Sequence, residues 1–396
     1  MRIKHIPEDF FLREVLHFAP GKKETPWRVY LLEKKGWNTL DALKKAAREK
    51  KVPLGEIRSL GKKDRHAHTV QHLSIPVKYD LSFEGEGFSL RPAGYTTVPL
   101  EPSVLKGSLF SLKLRDMGTA EADHVEKRLE EISKQGFANY LDDQRFGNVG
   151  AKGEFLAEML IKRRFTEALR KYVTFCHPEA PTWLKKRHAQ RGEKWGRWAE
   201  MKPLCPEPLL QKMLALLEKR GEKGARDCLA LLPAEELGMY FSAYSGYLWN
   251  ETLSRFLADK PGDFFSVPLK TGQVLQYRTL PTELFTRLEG LTLPTVGPDM
   301  PPLPPEIAPV FSGLLAERGV RLSKFRLREV EKASFSSFSR NCLMIPQGLK
   351  WKWDEDDLFP GKTALSLDFF LPRGSYATMM LKSAAGKFKA RGGSRG

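Results

Sequence analysis

The stretch Leu60–Gln71, LGKKDRHAHTVQ, sets one acid, Asp64, among Lys62, Lys63, Arg65, His66 and His68. Cations at that spacing favour the charged form of a carboxyl, so a low pKa is expected. Such a carboxylate suits a nucleophile or a base better than a general acid, and the same cations can draw a phosphate backbone towards it. An ion-paired surface turn is the simpler account of the same residues. A second group is Asn139-Tyr140-Leu141-Asp142-Asp143-Gln144-Arg145. Its amides can read the donor and acceptor edges of a base, and a polar loop capping the next helix would use the same residues. With Asp64, the acids Asp142 and Asp143 raise divalent-metal phosphodiester cleavage; adjacent carboxylates rarely converge on one ion, however, and no histidine accompanies them. A third group, Pro372-Arg373-Gly374-Ser375-Tyr376, is a turn that puts an aromatic ring beside backbone donors. Tyr376 can stack there on an extruded base, or pack half-buried.

These groups require a scaffold, and the hydrophobic pattern supplies one. Trp27–Leu32 (WRVYLL) alternates as a strand with one wet face. Asn38 or Thr39 can cap a helix that runs to about Lys50, with Leu40, Leu43, Ala46 and Ala47 on one side. Thr69–Ile75 is a further strand, so Asp64 lies on a loop between extended segments. Phe83–Phe88 (FEGEGF) is a hairpin turn, since its glutamates would repel a phosphate. Val104–Leu114 forms a strand or a hairpin pair, and a helix from Thr119 stops at Gly136. From Glu154 the pattern turns helical, with Phe155, Met159, Phe165 and Leu169 on one face, and helices recur at Leu209–Lys219 and Glu235–Leu257. Between them Trp183, Trp195 and Trp198 alternate with cations, as in an amphipathic face with a charged rim or a base-stacking surface. The prolines of Leu293–Pro309 mark a linker or exposed loop. Leu365, Leu367 and Phe369 then share one face of a final strand. Strands and helices without a regular βαβ rhythm indicate an α+β fold, one domain split by a helical insertion.

The chain of 396 residues carries 65 Lys and Arg against 48 Asp and Glu, a net charge of +17. An excess of that size favours a polyanionic partner, most often nucleic acid. The end of the chain, KSAAGKFKARGGSRG, has five cations and no acid and is expected to be a disordered basic arm. No run approaches the roughly 20 apolar residues of a membrane span, and acids interrupt the N-terminus before an apolar signal region can form. Cys176, Cys205, Cys228 and Cys342 are scattered without a CxxC pair, which argues against a zinc site or a disulfide framework and points to a reducing cytoplasm. No GxSxG nucleophile elbow occurs.

Taken together, the groups resemble one family. GKKDRHAHTVQ is similar to the motif G-x-K-D-(R/K)-H-A-x-T-x-Q of the TruD tRNA pseudouridine synthases, ANYLDDQRFG to their P-N-Y-F-G-x-Q-R-F-G, and LPRGSYAT to their L-P-x-G-S-(Y/F)-A-T. IKHIPEDF resembles the family opening, and SAYSGYLWN (Ser242–Asn250) a helix of its insertion. The five matches occur in family order across nearly the whole chain. The resemblance implies a pseudouridine-synthase catalytic domain on a mixed, largely antiparallel sheet, interrupted by a mostly helical insertion: residues 1–152 and 331–385 for the catalytic domain, 153–330 for the insertion and 386–396 for the tail. It implies that Asp64 is catalytic, that Phe10, Asn139 and Tyr376 bracket the target uracil, and that Lys4, Lys63, Arg65, His66, Gln144 and Arg145 support the site or bind RNA. The expected reaction isomerises a uridine, by family analogy uridine 13, to pseudouridine in tRNA, with no cofactor and no metal. The alternative is a noncatalytic RNA-binding or RNA-remodelling protein on the same fold. Departures from the family pattern are Leu141 for its aromatic, Asp142 for its glycine, Ala138 for its proline, and Ser383 near the position of its glutamate.

Overall fold

The structure, a computed structural model, describes residues 1–150, 153–327, 330, 333–386 and 389–390. The chain forms two compact units, Met1–Phe137 with the return from Met344, and Ala138–Leu343. The insertion expected over 153–330 thus falls inside a unit that also takes in the Asn139–Arg145 loop and the segment up to Leu343. The physical reason is hydrogen bonding between the two segments: Asn139 N donates to Cys342 O at 2.8 Å, and the Arg340 guanidinium donates to Asn139 O at 2.9 Å.

The first unit is built on a sheet of eleven strands. Its first eight, in chain order, are β1 (Arg2–Ile3), β2 (Phe10–Leu16), β3 (Trp27–Lys35), β4 (Arg58–Ser59), β5 (His68–Pro76), β6 (Phe83–Gly85), β7 (Phe88–Thr96) and β8 (Leu105–Met117). Across the sheet the order is Gln347–Glu355, Thr363–Pro372, β8, β2, β5, β3, β7, β6. β4 adds to β5, and β1 lies between β8 and Lys389–Ala390. Pairing is antiparallel except between β2 and β5 and between β1 and Lys389–Ala390. The mixed, largely antiparallel sheet of the α+β reading is therefore present. Within β3 the alternation turns Tyr30 and Leu32 to one face, where Ala42, Leu43 and Ala46 of α1 (Thr39–Glu49) cover them together with Leu73 and Ile75 of β5. Burial of that apolar face is the main stabilising term of the layer, at roughly 25 cal/mol per Å². The helix α2 (Thr119–Gln135) buries Val125, Leu129 and Ile132 and ends where Gly136 takes φ 68°, a conformation costly for residues with a Cβ.

Of the two readings of Val104–Leu114, the strand is the one observed: Leu105–Leu114 lies in β8, paired with β2 on one side and with Thr363–Pro372 on the other, and Val104 ends the turn Pro102–Val104 before it. Three expectations are corrected. The helix expected from Glu154 is two, Leu156–Ile161 and Phe165–Thr174, broken where Arg163 takes φ 58°. The proline-rich stretch is packed in its first part: Leu293–Gly297 is buried and Thr292–Pro294 pairs with Ser339–Asn341, whereas Pro301, Pro302, Pro305 and Pro309 are exposed as expected. In the basic tail, Lys389–Ala390 pairs with β1; its residues 387–388 and 391–396 lie outside the described residues. The second unit is otherwise helical, around a 25-residue helix, Ala234–Ala258, that buries residues on every side, among them Phe241, Tyr244, Trp249 and Leu253. A hairpin, Phe264–Leu269 with Gly272–Tyr277, packs into the same unit. No helix among the described residues is long and apolar enough to cross a membrane.

One buried ion cluster fixes the N-terminal edge of the first unit. Arg115 of β8, 3% exposed, donates to Asp9 at 2.8 Å, Asp356 at 3.0 Å and Asp357 at 2.7 Å. Asp9 also accepts Ile6 N at 3.1 Å, which closes the turn Pro7–Asp9. Replacing Arg115 by Met leaves Asp9 and Asp356 buried without their cation, and a loss of about 3–5 kcal/mol in urea unfolding is expected. A loss below about 1 kcal/mol, the worth of an exposed pair, would contradict this account.

Candidate active site

Asp64 lies on the loop between β4 and β5, which crosses the same face of the sheet that α1 covers. Gly61, φ 122°, turns the chain into this loop in a conformation few other residues adopt. The Asp64 side chain is 32% exposed and ion-paired through Oδ2 with Lys4, whose own side chain is 14% exposed. Its Oδ1 accepts the His66 N–H at 2.9 Å. Burial opposes ionisation of this carboxyl, but the Lys4 ammonium, its hydrogen bond and the His66 N–H outweigh it and hold the pKa below the ordinary 3.8. Lys4 Nζ also sits 4.2 Å from the centroid of the Phe10 ring. Phe10 is buried at the start of β2 and leads an aromatic row, edge-on to Phe110, which stacks on Phe369.

The structure thus brings Asp64, Lys4, Phe10 and His66 together. Lys63 turns inward and pairs with the buried Glu14 of β2 at 2.5 Å. Arg65 is exposed and donates to Gly36 O at 3.2 Å, tying the loop to the end of β3. Tyr376 is the N-cap of helix Ala377–Ala385, past the end of strand Thr363–Pro372. By register that end, Pro372, lies beside Gly107 of β8, whereas Phe10 lies beside Leu112, about five residues or ~17 Å along the strands. Ser383, near the position of the family glutamate, faces the buried Arg128, which donates to Ser383 O at 3.2 Å and is ion-paired with Glu131.

Asn139, Gln144 and Arg145 belong to the second unit. There the loop is held by side chains that mimic a strand partner. Gln276 exchanges two hydrogen bonds with the Ala138 backbone, at 2.9 and 2.8 Å, and Asn250 two with Leu141, at 2.9 and 2.8 Å. Tyr140 donates to Leu275 O at 2.7 Å. Arg145 donates to Ser242 Oγ at 2.7 Å, so the ANYLDDQRFG and SAYSGYLWN segments meet. Asn139 is 2% exposed; its Nδ2 donates to Asn341 O at 3.0 Å while its Oδ1, equally buried, has no partner among the described residues. Gln144 is exposed, and Leu141 is buried. Asp143 accepts Lys270 N at 2.6 Å, and among the described residues no group of three or more His, Cys, Asp or Glu is placed to hold a metal ion. On helix Thr182–Glu193, Trp183 is 59% exposed with the Arg187 guanidinium 5.0 Å from its ring centroid.

Residues 1–384 match the family tRNA pseudouridine synthase D (TruD). The chain belongs to the TruD family. It is 29% identical over 390 residues to "Probable tRNA pseudouridine synthase D 1" of Methanococcus maripaludis, covering 96% of this chain and 98% of that one. It is 28% identical to the tRNA pseudouridine synthase D of Leptospira interrogans, over 96% of this chain and 95% of that one. The crystal structure of the TruD protein of Methanosarcina mazei has the same fold, with a TM-score of 0.70 at 24% identity over 98% of this chain and 93% of that one.

Sequence reasoning missed Lys34. It continues the inward face of Tyr30 and Leu32, is 0% exposed, and donates through Nζ to Asp64 O at 2.7 Å. A lysine at an inward position of an alternating strand was the available signal. Burial pushes its pKa down from 10.5 to about 8, against the pull of Asp64 and with the repulsion of Lys63. Between about pH 8 and 10.5 the unfolded chain then binds more protons at this residue than the folded one, so stability rises with pH through that window. Relative to Lys34→Met, wild type is expected to gain on the order of 3 kcal/mol from pH 8 to 10.5, measured by urea unfolding at each pH. A difference that stays flat across the window would show an ordinary amine.

Proposed function

We propose that this protein isomerises uridine to pseudouridine in tRNA, at position 13 by analogy with its family, with Asp64 as the catalytic carboxylate. The observation that carries the reading is the ion pair of Asp64 with Lys4 beside the Phe10 ring, in a chain matched along its length to TruD proteins. The reaction breaks the bond from C1′ to N1, turns the uracil and bonds C1′ to C5; C5 gives up a proton and N1 takes one. Nothing is oxidised and no phosphate moves. An ionised carboxylate can open this sequence by attack on the sugar or the base, or by taking the C2′ proton, and each route needs the charge that Lys4 and the His66 N–H preserve.

The uridine must first leave its stack, at a cost of a few kcal/mol. Stacking on Phe10 or Tyr376 can offset about 1–3 kcal/mol of it. Asn139 takes the uracil edge in this reading, and the support is its buried Oδ1, an acceptor that the described residues leave unmatched. Lys63, Arg65, His66, Gln144 and Arg145 are the supporting and RNA-contacting groups, and the net charge of +17 supplies affinity that falls steeply with salt.

The test is pseudouridine mapping after incubation of tRNA with the purified protein, in EDTA. Wild type is expected to form product at position 13, and Asp64→Asn to form none while still binding tRNA. Binding without product in both would leave a noncatalytic RNA-binding protein, and product at another position would refute the site. Asn139→Ala is expected to lose at least about 100-fold in kcat with less than about threefold change in tRNA affinity; equal losses in both would remove Asn139 from the uracil site.

A further inference from the structure

The loop that carries Asp64 rests on buried polar side chains. Lys34, Thr39 and Gln71 are 0, 3 and 0% exposed. They come from three separate elements: β3, the first turn of α1, and β5. Lys34 Nζ donates to Asp64 O at 2.7 Å. Thr39 Oγ1 accepts the Lys63 N–H at 3.1 Å and donates to Gln71 Oε1 at 2.8 Å. Gln71 Nε2 in turn donates to Gly61 O at 3.1 Å. Thr39 does not serve as the helix cap; that position is Asn38, whose amide reaches Asp41 instead. From β2, Glu14 holds the Lys63 side chain and accepts His72 N at 2.6 Å. Gly61, Lys63 and Asp64 are therefore each bonded to a side chain anchored in the sheet or in α1.

Burying an amine, a hydroxyl and an amide under one short loop is expensive unless their partners are well placed. Apolar side chains would fill the same space without that cost. What the polar groups add is direction, because a hydrogen bond tolerates only a narrow range of distance and angle. A loop packed on apolar groups can slide, whereas one bonded at three backbone sites within four residues has a single register. Asp64 lies at the end of that bonded run, with Lys4 and the His66 N–H meeting its carboxylate from the far side.

We propose that Lys34, Thr39 and Gln71 are positioning residues for the isomerisation, fixing the backbone of Gly61–Asp64 so that the Asp64 carboxylate is aimed at the reacting nucleoside. This rests on Asp64 being the catalytic carboxylate. The three residues act through the loop, not on the RNA.

The experiment measures kcat and KM on tRNA with the full chain, each rate normalised to the folded fraction read from a melting curve. Thr39→Val keeps the side-chain volume and removes the hydroxyl, leaving the Lys63 N–H and Gln71 Oε1 unmatched. Its kcat is expected to fall about 10- to 100-fold, as for a misplacement of about 1 Å, with KM within about twofold of wild type. Thr39→Ser restores the hydroxyl and is expected to return kcat to within about threefold. Lys34→Met is the second variant; it removes the donor to Asp64 O and relieves a buried amine, so it folds at neutral pH even if Thr39→Val does not, and the same split of kcat from KM is expected. Wild-type kcat in Thr39→Val or Lys34→Met overturns the proposal, and so does a Thr39→Ser variant as slow as Thr39→Val. Asp64→Asn run in parallel separates the two levels. If it stays active, the assignment of Asp64 fails and the positioning role with it; if it is inactive while Thr39→Val and Lys34→Met are unimpaired, only the positioning role fails.

Discussion

A carboxylate that must stay charged where water has only partial access needs a cation at fixed distance, and the ion pair of Asp64 with Lys4 meets that need. The arrangement of the N-terminal segment follows from it. Lys4 takes φ 53°, a left-handed conformation that costs a bulky side chain on the order of 1–3 kcal/mol and persists only where its surroundings hold it. On one side β1 is paired with β8 and with Lys389–Ala390. On the other, the turn Pro7–Asp9 is clamped by Arg115 through Asp9. Between these anchors Lys4 has little choice of direction, and its ammonium lies over Phe10 and against Asp64. Acid at residue 9 and base at residue 115 thus serve a site that neither of them enters.

The two loops named from the sequence are held by the same device in both units. Under Gly61–Asp64 the Gln71 amide bonds to a loop carbonyl; beside Ala138–Leu141 the Gln276 and Asn250 amides each exchange a pair of bonds with the backbone. A side-chain amide carries a donor and an acceptor in the geometry of a peptide group, so it can stand in for a strand neighbour where no strand runs. Loops gain order in this way without becoming strands, and their own side chains remain available for chemistry.

Much of this was legible in the sequence. The alternation of Trp27–Leu32 and of Leu365–Phe369, the helix stop at Gly136 and the placement of Asp64 between extended segments follow from periodicity and turn chemistry, which are local. The expected low pKa of Asp64 followed from neighbouring charge, but the cation that matters most is Lys4, sixty positions away, and not the lysines flanking it. Lys34 was open to a longer reading of the strand, whose alternation puts it on the face of Tyr30 and Leu32, but its partner on the Asp64 loop is a tertiary contact. Thr39 reads as a helix cap, and its bonds to Lys63 N and Gln71 are tertiary too. Leu293–Gly297 misled because prolines signal a loop without saying whether it is covered. The break at Arg163 lies within a run whose apolar spacing continues across it.

The measurement that bears most directly on the charge state of Asp64 is its pKa in the intact protein, read from the carboxyl carbon resonance of aspartate-labelled chain and assigned by its loss in Asp64→Asn. The expected titration lies below the ordinary 3.8, because Lys4 and the His66 N–H outweigh burial. A midpoint at or above 3.8 would show that burial wins, and the account of Asp64 as a carboxylate held ionised for catalysis would be wrong.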